Sequence, residues 1–383
     1  MNFEFSEEQN LLKDSVDRAF AKSYGFERRM QVLGSAPGWS REAWTQMADL
    51  GLLGLPFAAG DGGFDGGPVE TMIVMEAIGR ALALEPYAQT VVLAGAVLRH
   101  GASAALRAHL VPQVAEGRLV LAFAHGETQA RWALSDVATR AVRVDGGYRL
   151  TGRKVLVVAG GIADRLVVSA RTAGGRTEAQ GIGLFLVDPA SAGVSVTAYA
   201  THDGRRAADI GLDDVFVADA DVIGDPAGAF PVIARAVGEA IAALCAEAVG
   251  AMDEALAMTV DYLKTRTQFG VTIGSFQALQ HRAADMFVAL EQARSMALYA
   301  VMSVAEPDAV RRAAALSAAK VQIGISGRFI GQQAIQLHGG IGMTMEYKVG
   351  HLFKRLTMID KEFGDVDHHL ACLGEGPGLL EAS

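Results

Sequence analysis

The sequence predicts an α+β fold in three consecutive segments: helical over residues 1–116, β-rich (a barrel or sandwich) over 117–228, and a four-helix bundle over 229–383. Three observations predict it. Capping residues precede apolar sets at helical spacing in the first segment. Short β-rich runs cut by Gly and Asp turns fill the second. Long helical patterns with few breaks, crowded with Ala, Gly and Ser, make up the third.

In the first segment Ser6 and Gln9 form a capping box ahead of Leu12, Val16, Ala19 and Phe20. Ser40 caps a second helix carrying Trp44 and Met47, which stops near Gly51. Residues 59–68 are a glycine-rich connector, and Pro68 is placed to open the next helix, with Met72, Met75, Glu76 and Ile78. The helical pattern continues to about Glu116. Strands are expected at 119–124, 148–151, 155–158, 165–170, 182–187, 194–199 and 214–217. Residues 234–265 then read as one helix, about 45 Å long at ~1.5 Å per residue. Further helices fit 277–300, 308–336 and 347–361.

The composition narrows the function. The chain has 383 residues, 51% hydrophobic and 20% charged, enough for a large core. A net charge of −9 and the lack of a basic stripe argue against nucleic acid. Cys245 and Cys372 stand far apart, match no metal or redox spacing and suit a reducing compartment. The acidic start, Met1 to Glu8, is followed by no apolar stretch of a secretory signal. The apolar run 240–252 contains Glu247 and is too short to span a bilayer. These readings give a cytoplasmic protein, off the membrane. Neighbouring His368 and His369 on a helix would point about 100° apart, so no metal site is expected.

Several stretches carry a resemblance. They are FSEEQNLLKDSV, LGLLGLPFAAGDGGF, VMEAIGRAL, YRLTGRK, YLKTRTQFGVTIGSFQALQHRAADM and AIQLHGGIGMTMEYKVGHLFKR. In this order, on a helical–β–helical pattern, they resemble the acyl-CoA dehydrogenase family over almost the full chain. PVETMIVMEA and the ending FGDVDHHL are similar to the small subunits described as pimeloyl-CoA dehydrogenase. The resemblance implies an FAD-dependent α,β-desaturation of an acyl-CoA thioester. In that chemistry a carboxylate removes the α-proton and the flavin accepts the β-hydrogen as hydride.

The family pattern is half kept. Arg266 matches the arginine that pairs with the FAD pyrophosphate across a subunit interface, and Phe269, Phe276 and Gln277 fall in the same segment. Gln336, Leu337, His338, Gly339 and Gly340 match the Q-x-x-G-G element whose glycines let backbone approach the cofactor. Against this, a family hydroxyl becomes Gly126, the W-I-T element becomes Leu156-Val157-Val158, and the Glu-Gly that holds the base becomes Phe363-Gly364. The alternative base position holds Ala240, with Ile241 in place of an arginine. Glu239, Glu362 and Asp365 are the nearest carboxylates. Glu239 should point elsewhere, and Glu362 and Asp365 remain candidate bases.

The resemblance therefore implies the small, base-lacking subunit of an α2β2 enzyme. That subunit completes the FAD site of a large acyl-CoA dehydrogenase chain and delivers electrons to an acceptor flavoprotein. Two alternatives stay open: a self-sufficient homotetramer using Glu362 or Asp365, and a structural paralogue that binds no flavin.

Overall fold

A computed structural model of the chain describes residues 5–376. The first four residues of the acidic start, and the last seven of the chain, lie outside the described residues. Six helices come first: α1 (Glu7–Ser23), α2 (Phe26–Leu33), α3 (Arg41–Asp49), α4 (Pro68–Ala81), α5 (Gly95–Gly101) and α6 (Ala104–Ala115). Eight strands follow: β1 (Leu121–Ala124), β2 (Arg140–Val144), β3 (Gly147–Val158), β4 (Arg165–Arg171), β5 (Ile182–Val187), β6 (Val194–Ala200), β7 (Arg206–Ala218) and β8 (Val222–Ile223). Then come α7 (Phe230–Thr265), β9 (Thr267–Gln268), β10 (Val271–Thr272), α8 (Gln277–Ser303), α9 (Ala309–His338), α10 (Lys348–Lys361) and α11 (Val366–Glu375).

The caps form as read. Ser6 Oγ accepts from the Gln9 amide while Gln9 reaches back to the Ser6 N–H, and Ser40 caps α3. Pro68 opens α4, where its missing N–H costs nothing. Several elements differ from expectation. The runs 148–151 and 155–158 are one strand, because Gly152 passes against Thr139 too closely for a side chain and register shifts absorb the irregularity. The 214–217 run is the end of a much longer β7, whose Ala, Gly and Asp residues hide its alternation. β2, α2, the β9–β10 hairpin and a π-helical turn over Ala88–Ala94 are additional. α7 starts earlier, at Phe230, with Pro231 in its first turn.

The chain divides into two compact units. One comprises residues up to Gln31, Pro68–Ala83, and everything from Ile241 onward. Within it α1 packs on α4, α8 on α9, and α10 and α11 on α9. Gly79 of α4 and Gly250 of α7 lie against each other's helix backbone, and Arg80 bridges Asp17 at 2.8 Å and Asp253 at 3.1 Å. The other unit, Val32–Gly67 and Leu84–Ala240, holds the sheet. Its strands run β6-β7-β3-β2-β4-β5-β8, with β1 parallel to β4. Leu150, Leu166, Val168, Phe185, Ile210 and Val215 fill the core of this sheet. No helix among the described residues is long and apolar enough to cross a membrane.

Candidate functional site

The segment that begins at Arg266 is shaped by a tight hairpin. α7 ends at Thr265, and β9 and β10 are joined by Phe269 (φ +55°) and Gly270 (φ +79°). Two consecutive positive φ values are the signature of a two-residue hairpin turn. The Ile273 N–H closes it by donating to Arg266 O at 2.9 Å. The second segment sits at the end of α9. Gly339 terminates that helix with φ +62° and ψ −139°, a conformation open to glycine.

These two segments meet in an open cleft of about 340 Å³, contained within one compact unit. Arg266 and Gln336 through Gly340 all line it. A Cβ at Gly339 or Gly340 would meet nothing within 4 Å, so the glycine backbone faces open space that a ligand can approach. Phe269, Phe276 and Gln277 are not among its lining residues. Phe269, at the hairpin turn, is 89% exposed and packs edge-on at 6.2 Å against Phe276, the residue before α8.

Tyr262, Gln268, Ile273, Leu279 and Arg282 complete the wall and escaped the sequence reading. All five lie inside the stretch 262–286 that carries the resemblance, and of them Tyr262 had a local signal, standing one helical turn before Arg266, whose N–H donates to Tyr262 O at 2.9 Å.

His338 anchors the cleft floor. Its ring is buried and stacks on Tyr262 at 4.6 Å, with Tyr347 at 5.1 Å on another side. Burial pushes its pKa down, so the ring is neutral, and Nδ1–H donates to Ala334 O at 2.8 Å. Nε2 is buried and makes no hydrogen bond of good geometry among the described residues. The cleft thus offers two guanidinium groups, two amides and bare glycine backbone. That donor set suits a phosphate-bearing ligand such as the ADP half of a dinucleotide.

The carboxylates read as candidate bases are otherwise engaged. Glu362 accepts from Arg355 Nη1 at 2.6 Å, and the same guanidinium grips Glu247 bidentately at 2.7 and 2.8 Å. Asp365 caps α11, accepting from the His368 N–H at 3.0 Å and from Lys361 Nζ at 2.9 Å. The Lys361 hydrogen bond first, and that backbone bond second, hold its pKa below the usual carboxylate value, which weakens it as a base. Glu239 is bound by Arg99 and by His100 at 2.5 Å. Ala240, at the alternative base position, is buried. Phe363 holds a left-handed conformation, φ +58°, beside Gly364 at φ +114°. His368 and His369 have ring planes 73° apart, and among the described residues no group of three or more ligands is placed to hold a metal.

In the β-rich unit, Gly126 accepts from the Val155 N–H at 2.8 Å. Leu156 has φ +52° and is 53% exposed, because the register shift between Lys154 and Val157 turns it out of the strand alternation. Glu127 is committed to structure. It accepts from Lys154 Nζ at 2.6 Å, Thr139 Oγ1 at 2.7 Å and the backbone of Ala138 and Thr139. Burial alone would raise its pKa, but Lys154 and these donors hold it at about 2.

Comparison with known proteins converges on one family. Models described as the acyl-CoA dehydrogenase N-terminal, middle and C-terminal domains match residues 6–118, 122–215 and 230–371. A probable acyl-CoA dehydrogenase, YngJ of Bacillus subtilis (strain 168), is 28% identical, covering 94% of this chain and 95% of its own. The mitochondrial isovaleryl-CoA dehydrogenase of Oryza sativa subsp. japonica is 30% identical, over 83% of this chain and 78% of its own. Among solved structures, the ChsE4-ChsE5 complex from Mycobacterium tuberculosis superposes with a TM-score of 0.88 at 27% identity, covering 98% of both chains.

Proposed function

The chain belongs to the acyl-CoA dehydrogenase family, and we propose that it is the small, base-lacking subunit of a heteromeric, FAD-dependent enzyme. The reaction is α,β-desaturation of an acyl-CoA thioester. The partner is a larger acyl-CoA dehydrogenase chain that carries the base, in an α2β2 assembly that delivers electrons to an acceptor flavoprotein. FAD, when bound, takes up the hydride that leaves the β-carbon. This chain's own part is to hold the ADP end of the cofactor. Arg266 presents a planar, permanently charged fork to the pyrophosphate, and Gly339-Gly340 let the backbone close on it. The likeness to pimeloyl-CoA dehydrogenase small subunits favours a dicarboxylic or other acyl chain as substrate.

The observation that carries this reading is a contrast between two places in the chain. The cleft keeps an open glycine turn and a guanidinium with no partner among the described residues. At the base position stands Phe363, and the carboxylates on either side of it are bound to Arg355 and Lys361. That ChsE4-ChsE5 is by name a complex supports a paired assembly.

The test is flavin content per chain, measured for this chain alone and co-expressed with a large subunit. Little flavin alone and about one FAD per heterodimer together is the expected result. Arg266→Ala should weaken flavin retention in the complex about 10- to 100-fold, the worth of a charge-assisted contact. Unchanged flavin in that variant would overturn the clamp. One FAD per chain expressed alone would favour a homotetramer.

A further inference from the structure

We propose that Arg282 is a second phosphate ligand of the cleft, so that the chain grips both phosphates of a nucleoside diphosphate moiety. This rests on the reading of the cleft as a cofactor clamp, and it assigns a residue that neither the family pattern in the sequence nor the comparisons single out. Arg282 lies on α8, and Arg266 follows the end of α7, yet both line one concave wall. The two guanidinium groups therefore reach the cleft from separate elements.

Neither guanidinium has a hydrogen bond or ion pair among the described residues. Three other arginines of the same unit are neutralised, Arg80 by Asp17 and Asp253, Arg294 by Asp253 and Glu291, Arg355 by Glu247 and Glu362, whereas Arg266 and Arg282 share one cleft. The chain as a whole carries −9. In so acidic a chain, two unneutralised cations sharing one concavity repel each other until an anion joins them. A single phosphate can satisfy one fork. A diphosphate presents two tetrahedral groups side by side and can satisfy both. Gln268 and Gln336 add neutral donors, and the missing Cβ atoms of Gly339 and Gly340 leave the approach clear. The arrangement selects for diphosphate over monophosphate.

The experiment is calorimetric titration of the flavin-free complex of this chain with its large subunit, using ADP and AMP at low and high salt. Wild type should bind ADP about tenfold or more tighter than AMP, with the difference shrinking as salt screens it. Arg282→Gln should bring ADP affinity down to that of AMP. Arg282→Lys should recover part of the discrimination, because it restores the charge without the fork. Arg266→Gln should weaken both nucleotides. If Arg282→Gln keeps the wild-type ADP affinity while Arg266→Gln loses it, the role of Arg282 is overturned and the clamp stands. If wild type binds neither nucleotide, the clamp and the proposal built on it both fall.

Discussion

Replacing Gly79 by alanine sets two known effects against each other, and the structure decides between them. Gly79 lies within α4, where alanine is favoured over glycine by about 1 kcal/mol. A Cβ there would lie 1.9 Å from Glu247 O and 2.8 Å from its carbonyl carbon. An ordinary carbon–oxygen contact is about 3.3 Å, so the helices must part by roughly 1 Å or more. The contact is reciprocal, since a Cβ at Gly250 would lie 1.9 Å from Glu76 O. α7 has little freedom to yield at this point. Glu247 is fully buried and bound bidentately by buried Arg355. Overpacking costs about 1–3 kcal/mol, and disturbing a buried ion pair costs up to about 3–5 kcal/mol. The expected net effect is a loss of about 2 kcal/mol or more, read as a lower midpoint in urea at unchanged slope. Gly374→Ala in α11 is the control. Its Cβ meets nothing within 4 Å, so it should be neutral or stabilising by up to about 1 kcal/mol. Gly79→Ala matching or exceeding that control would refute the close-approach argument.

The remaining predictions concern acid and the candidate bases. Burial pushes His125 down to about 3 from 6.5, so its share of stability is present above pH 6.5 and lost as pH falls toward 3. Glu127 is held at about 2 against an ordinary 4.5, so its share is lost lower, as pH falls from 4.5 toward 2. Urea midpoints across this range should fall in two stages. His125→Gln should flatten the upper stage and Glu127→Gln the lower; an unchanged profile in either variant counts against that group. Separately, in the proposed heteromeric enzyme, Glu362→Gln with Asp365→Asn should leave turnover nearly intact. A loss of about 10²–10⁴-fold, the usual worth of a general base, would place the base on this chain.

The sequence showed the elements whose signals are local. Ser6, Ser40 and Pro68 mark helix starts through groups that only a helix terminus needs, and each does so in the structure. β7 was recognised only at its Val-Phe-Val end. Its first half pairs Ala207 and Ala208 into the core, and alanine carries no strand signal. β2 escaped for a similar reason, since its one fully buried residue is Ala141. In the candidate site, Arg266 and the Gln336–Gly340 turn were legible as motifs and meet in one cleft. Phe269, Phe276 and Gln277 share that stretch in sequence but do not line the cleft: Phe269 sits at the exposed hairpin turn, and Phe276 and Gln277 begin α8. Arg282 lies inside a stretch that carries the resemblance but was not singled out there, because its place depends on how α8 lies beside the end of α7, which no local pattern reports.

The turn at Phe363 shows which features can speak for chemistry. Phe363 keeps a left-handed backbone, which costs a non-glycine residue on the order of 1 kcal/mol or more. Strain of this kind often marks an active site, yet here it has a structural support. Buried Lys320 extends Nζ to Ile359 O at 2.6 Å, Asp360 O at 3.1 Å and Gly364 O at 3.0 Å, tying the end of α10 to the turn beyond it. His369 adds a contact to Phe363 O at 3.1 Å. These bonds hold the shape whether or not residue 363 is a carboxylate. The loop can therefore keep its shape with phenylalanine at position 363, and the loop alone says nothing about activity. No such scaffold accounts for the cleft. Among the described residues the guanidinium groups of Arg266 and Arg282 have no hydrogen bond or ion pair, and a Cβ on Gly339 or Gly340 would meet nothing within 4 Å. A group that the fold does not use for itself can point to a ligand, and two such cations line this one cleft.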